Sequence, residues 1–226
     1  MLLTFIAKVY PYLTLAGTAF ILIGTLISLI PYRGRSGERY SLFNHFISEL
    51  GEKGISKAAW GFNTGMMLGG WLFLPLMLVL GTRLSSVPGW IGTAFGIAAG
   101  VAASLVGVFS MERLTPHRRA AMTFFHSGLY CIIFYTIAIF AQPASARAVP
   151  LTLNVAGLLA IGSFSAFLLL VYAKPKHKED EEQTPNYILD PNAMPERPRF
   201  WRTPILEWCV FFSIQIWFVA AAFLVS

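Results

Sequence analysis

Charge is scarce in this chain. Only 12% of its 226 residues are Asp, Glu, Lys or Arg, against 56% hydrophobic, and the mean hydropathy is +0.62. A water-soluble core of this size does not need apolar runs longer than about 18 residues, yet six such runs occur. The shortage of charge therefore excludes a soluble globular protein and leaves no room for a separate soluble domain. Cysteine is scarcer still, with Cys131 and Cys209 alone. Both lie in apolar runs entered from the same side, at depths of roughly 21 and 8 Å at the helical rise. That mismatch argues against a disulfide, and CxxC metal spacing is missing. No HExxH, HxxxH, GxSxG or P-loop pattern occurs, so neither a metal nor a cofactor is expected. Lys8 is followed by about 22 apolar residues without a clear cleavage site, so the first run reads as a retained span.

What is present is an all-α integral membrane protein: six transmembrane helices and a short interfacial amphipathic helix after the first, in a single domain covering residues 1–226. The spans read as about 9–30, 57–81, 88–110, 116–141, 150–173 and 204–225. Thr115-Pro116 and Thr203-Pro204 look like cap and first-turn pairs. The loops after spans one, three and five carry 14 of the 17 basic residues. The positive-inside rule then makes those loops cytoplasmic and puts both termini outside, in a plasma or inner membrane. Topology thus accounts for the formal charge of +6, and no nucleic acid is expected as a partner. Residues 174–203 read as a polar cytoplasmic excursion with an acidic run.

The stretch from Ser41 to Glu52 lies between the first two spans and is too polar to cross a membrane. Phe43, Phe46, Ile47 and Leu50 share one helical face, while His45, Ser48, Glu49 and Glu52 lie on the opposite one. A helix over about 41–51 follows, capped by Ser41 and ended by Gly51. It reads either as a connector in the headgroup layer or as the lining of a polar site at the membrane surface. Spans two and three carry glycine stripes, Gly61, Gly65 and Gly69 against Gly92, Gly96, Gly100 and Ser104. These predict a close seam between those two helices, with Gly69 on Gly100, Gly65 on Ser104, and Asn63 turned away from it.

Polar and titratable groups gather at the cytoplasmic ends: Asn44, His45, Ser48, Glu49, Asn63, Glu112, His117 and Glu207. Glu207, one turn inside span six, calls for a partner among Arg202, Arg118 and His117. His126 lies nine residues past His117, on nearly the opposite face, and reads as a structural histidine near Tyr130. Three functions fit. The first is binding of an anionic lipid headgroup or a protein partner, with Asn44, His45, Asn63 and Glu207 as binding candidates. The second is a membrane-embedded lipid hydrolase or transferase, with Ser48, Glu49, Glu112 and His117 as catalytic candidates. The third and weakest is small-solute transport, since charge is missing near the midplane. Oligomeric state is not legible.

Three pieces of the chain carry a resemblance: FISELG (residues 46–51), GVFSMERLTPH (residues 107–117) with Ala120, Ala121 and Phe125, and Glu207 followed by Trp217. At these residues the chain resembles a prokaryotic six-span membrane family of unknown function, DUF998. More distantly it is similar to the DRAM-type autophagy modulators and GPI-lipid remodelling factors, whose motif after the first span resembles Ile47-Ser48-Glu49. Trp208 stands where a basic residue often follows the glutamate. The resemblance implies architecture and a location for the site, not a reaction.

Overall fold

The computed structural model describes residues 2–173 and 198–225. Its helices are α1 (Leu2–Leu29), α2 (Ala59–Leu72), α3 (Leu74–Leu84), α4 (Val87–Val108), α5 (Leu114–Phe140), α6 (Leu153–Tyr172) and α7 (Arg202–Leu224). With α2 and α3 counted as one broken span, six helical stretches are long and apolar enough to cross a membrane, and the protein is an integral membrane protein. Most of the 174–203 excursion lies outside the described residues.

Each span packs on the next in chain order, and α7 packs back on α1, so the bundle closes into a ring around a common axis. The second span breaks at Phe73, between α2 and α3. Pro75, in the first turn of α3, has no N–H to give to the turn before it, and the helix cannot continue through it unchanged. Across the axis the Phe73 ring stacks on Phe218 of α7, with centroids 3.6 Å apart. Ser86 caps α4, its hydroxyl accepting the Gly89 amide. Thr115 and Thr203 do not cap their helices. α5 and α7 start one or two residues earlier, so Pro116 and Pro204 sit inside the first turn, where no intrahelical donor is needed.

The glycine stripe of α2 faces a different partner from the one its spacing suggests. A methyl group at Gly61, Gly65 or Gly69 would meet the backbone or Ile side chains of α1, and one at Gly24 of α1 would meet the Gly61 carbonyl. The close seam therefore joins α1 and α2. The neighbour of Gly69, Gly70, is the residue that lies on Gly100 and Ser104 of α4. One residue is a rotation of about 100°, enough to exchange one partner helix for another. Gly92 and Gly96 instead make room for Tyr135, Met77 and Cys131.

The ends of the ring differ. At one, which we call the basic end, lie the C-termini of α1, α4 and α6, the N-termini of α2, α5 and α7, and the excursion over residues 30–58.

Candidate functional site

The stretch over residues 41–52 is not an amphipathic helix on the surface. Only Ile47–Gly51 is helical, as a single 3-10 turn, and the Ser41 hydroxyl accepts the Phe43 amide in a local turn instead of capping a helix. Both faces are covered. Phe46, Ile47 and Leu50 are buried on one side, His45, Glu49 and Glu52 on the other. The segment is a plug seated in the basic end of the ring, and burying three large apolar side chains contributes roughly 1.5–3 kcal/mol each.

Carboxylates and aromatic rings hold the plug. Glu49 Oε1 accepts the Phe46 amide at 2.8 Å, and Glu207 Oε2 of α7 accepts the next one, Ile47, at 2.7 Å. The first N–H groups of the 3-10 turn, which have no partner inside it, are thus met by two glutamates. Tyr40 donates to the Phe46 carbonyl and accepts from the Trp208 indole at 3.1 Å. The Trp208 indole is therefore a clasp on the plug. Trp201 N–H donates to the Phe43 carbonyl, and its ring meets Phe46 edge-on. From α2, Asn63 Nδ2 donates to the Gly51 carbonyl at 2.9 Å. A side chain at Gly51 would run into that amide and the Phe62 ring, so any larger residue there requires Asn63 and Phe62 to shift.

Below the plug the ring surrounds a central chamber with a cavity volume of about 90 Å³. Every span contributes to its wall, and the lining is apolar apart from Ser48, His117, Glu207 and Gln215. From Glu207 to Phe218 the chamber wall runs about 16 Å at the helical rise. Stacked rings narrow the far end, Phe73 on Phe218 and Tyr135 on Trp217. Ser48, His117 and Glu207 also line a second, smaller cavity that reaches Met111, Leu114 and the exposed Arg118. These three side chains form a polar neck between an inner apolar slot and an outer vestibule.

His117 is buried in the neck, and its Nδ1–H donates to the Phe109 carbonyl at 2.7 Å. That bond fixes the tautomer of the neutral ring and leaves Nε2 as a bare acceptor. Glu207 is 8% exposed, and its partner is the Ile47 backbone rather than Arg202, Arg118 or His117. Among the described residues no hydrogen bond joins Ser48 to His117.

The other sequence candidates lie elsewhere. Glu49 turns away from the chamber, with Oε2 accepting the Tyr32 hydroxyl at 3.3 Å. His45 lies among Tyr32, Tyr40 and Asn44, its Nδ1 2.7 Å from Asn44 Oδ1 and its Nε2 3.5 Å from Glu38. Asn63 anchors the plug. Glu112 sits on the rim beside Lys53. Glu52 is buried and paired with Arg35; burial pushes its carboxyl above the usual range, and the Arg35 guanidinium partly offsets this. His126 is half-buried, bonded to the Met122 carbonyl and 3.2 Å from the Tyr172 hydroxyl, one helical turn before Tyr130. Both cysteines are free, and no group of His, Cys, Asp and Glu suited to a metal occurs among the described residues.

Sequence reasoning missed Tyr32 and Tyr40, two aromatic residues in a loop otherwise marked by arginines. It also missed the chamber, which exists only because α7 returns to α1.

No curated protein and no solved structure matches the chain. A family model described as a protein of unknown function, DUF998, matches residues 15–224. That match takes in the second half of the first span, the other five spans, the plug and the neck, and the chain belongs to the DUF998 family.

Proposed function

We propose that this protein binds a membrane lipid, with one hydrocarbon chain in the central slot and the lipid's polar end at the neck formed by Ser48, His117 and Glu207. The observation that carries the reading is the make-up of the chamber: an apolar lining with three of its four polar residues, Ser48, His117 and Glu207, at one end and Gln215 deeper. Ligand sites are commonly concave, mostly apolar and fitted with a few convergent polar groups. A cavity of about 90 Å³ suits a single chain rather than bulky cargo. The surplus of basic residues in the loops at this end supports a neck that opens towards the cytoplasm, with both chain termini on the opposite side.

The test is lipid retention. Native mass spectrometry of the purified protein should show a bound single-chain amphiphile, and filling the slot with Ala103→Phe should abolish it. The matching change at half-exposed Leu105, Leu105→Phe, should leave it in place. Equal retention in both variants would remove the chamber from the account.

A second reading, hydrolysis or transfer at a lipid ester held in the neck, is supported by one observation: Ser48 and His117 line the same neck. Ser48 would be the nucleophile, His117 Nε2 the base and Glu207 a neighbouring carboxylate. Glu49 and Glu112 have no place in this version. A fluorophosphonate probe that labels wild type but not Ser48→Ala would favour it; failure to label would leave binding alone.

A further inference from the structure

We propose that the neck selects a lipid whose polar end donates hydrogen bonds, an alcohol or an amine, over one that only accepts them or carries negative charge. This rests on the chamber being a lipid site, and it names the headgroup chemistry.

The protein leaves several polar atoms along the chamber without partners. His117 Nδ1–H is spent on the Phe109 carbonyl, so the neutral ring presents Nε2 as an acceptor. Glu207 spends Oε2 on the Ile47 amide, and its other oxygen has no partner among the described residues. Gln215 lies two turns further along the same face of α7, about 12 Å deeper, and its buried Oε1 also lacks a donor. His117 Nε2 and Gln215 Oε1 are acceptors, the free Glu207 oxygen accepts in the ionised form and donates in the protonated one, and all three side chains are more than nine-tenths buried. Ser48 can play either part. An enclosed acceptor without a donor is unfavourable, so a ligand that brings an O–H or N–H to His117 Nε2 at this neck supplies a partner that the protein does not.

The same atoms count against an anion. No Lys or Arg is among the residues lining the central chamber, and the carboxyl of Glu207 faces it. A carboxylate or phosphate placed at the neck would have to shed its water without gaining a counter-charge. The cation in reach, Arg118, lies at the outer vestibule. A positive ammonium, by contrast, gains the carboxyl as a partner.

The experiment keeps the chain constant and changes only its head. Full-length protein in a steroid-based detergent is mixed with equal amounts of lauryl alcohol, laurylamine, laurate and methyl laurate, and the bound species are counted by native mass spectrometry. The alcohol and the amine should each be bound at least tenfold more than laurate and methyl laurate. Glu207→Gln supplies a second reading. The amide oxygen of the variant can still accept from Ile47, which turns its NH2 towards the neck. The preference should then shift towards laurate and methyl laurate. Equal binding of all four, or preferential binding of laurate, overturns the headgroup inference while leaving the chamber as a chain site. Binding of none removes the chamber reading, and the inference with it.

Discussion

Glu207 Oε2 and the Ile47 amide meet at 2.7 Å across 160 positions of sequence. This bond links α7 to the plug and fixes one wall of the neck. Removing its acceptor leaves a buried N–H, so Glu207→Ala should destabilise the protein by about 1–3 kcal/mol. Glu207→Gln keeps an acceptor and should cost less. Thermal unfolding in detergent separates the two, and equal losses would show that the charge, not the hydrogen bond, matters to the fold.

The α1–α2 seam predicts which glycines are replaceable. Gly65→Leu drives a side chain into the Phe20 carbonyl of α1, an overpacking change that should cost about 1–3 kcal/mol or more. A methyl group added at Gly162 of α6 would have nothing within 4 Å, and Gly162→Leu should be neutral within about 0.5 kcal/mol. Melting temperatures of the two variants that fall together would contradict the seam.

Glu52 gives the plug a pH dependence with a definite sign. Its carboxyl is pushed up in the folded state by burial, partly offset by Arg35, so the fold binds protons more readily there than the unfolded chain does. This contribution to stability is complete below the ordinary carboxylate range. It is lost as pH rises through the raised value. Glu52→Gln should flatten the dependence of melting temperature on pH just above that range, and Arg35→Gln should steepen it. A slope unchanged in both variants would mean that Glu52 titrates alike in the folded and unfolded chain.

Orientation follows from charge and is tested by labelling. Single cysteines at Ser36, in the basic-end excursion, and at Ser85, between α3 and α4, lie at opposite ends of the bundle. An impermeant thiol reagent applied to intact cells should label position 85 and spare position 36. The reverse pattern would turn the neck outward.

The spans were legible because lipid demands long apolar runs whatever the packing. What the sequence could not convey was azimuth. The stripe of Gly61, Gly65 and Gly69 announces a close seam, but whether it meets α1 or α4 depends on a rotation of one residue. The plug shows the same limit. Its alternation of Phe46, Ile47 and Leu50 with His45, Glu49 and Glu52 separates two sets of buried side chains, but Ser48 joins Ile47 at the chamber and Phe43 is exposed. It cannot reveal that the polar face is also covered, because the groups that cover it, Tyr32 and Tyr40, come from elsewhere in the excursion and are brought in by the fold. Ser48, His117 and Glu207 could be assigned to one level of the membrane from their positions in the spans. Their meeting in one neck required knowing that the helices close into a ring, whereas Glu49 and Glu112, at the same level, are turned to other tasks.

The chamber is tested most directly by asking where a bound chain lies. A lauryl alcohol carrying a diazirine at its far end can be photolysed on the protein and its adducts mapped by peptide mass spectrometry. The account predicts adducts on residues that line the deep slot, Met77, Cys131 and Trp217, which excess unlabelled alcohol suppresses. Adducts confined to outward-facing residues such as Val155, Leu158 and Leu169, unaffected by competitor, would show that the chain only coats the bundle and would contradict the account.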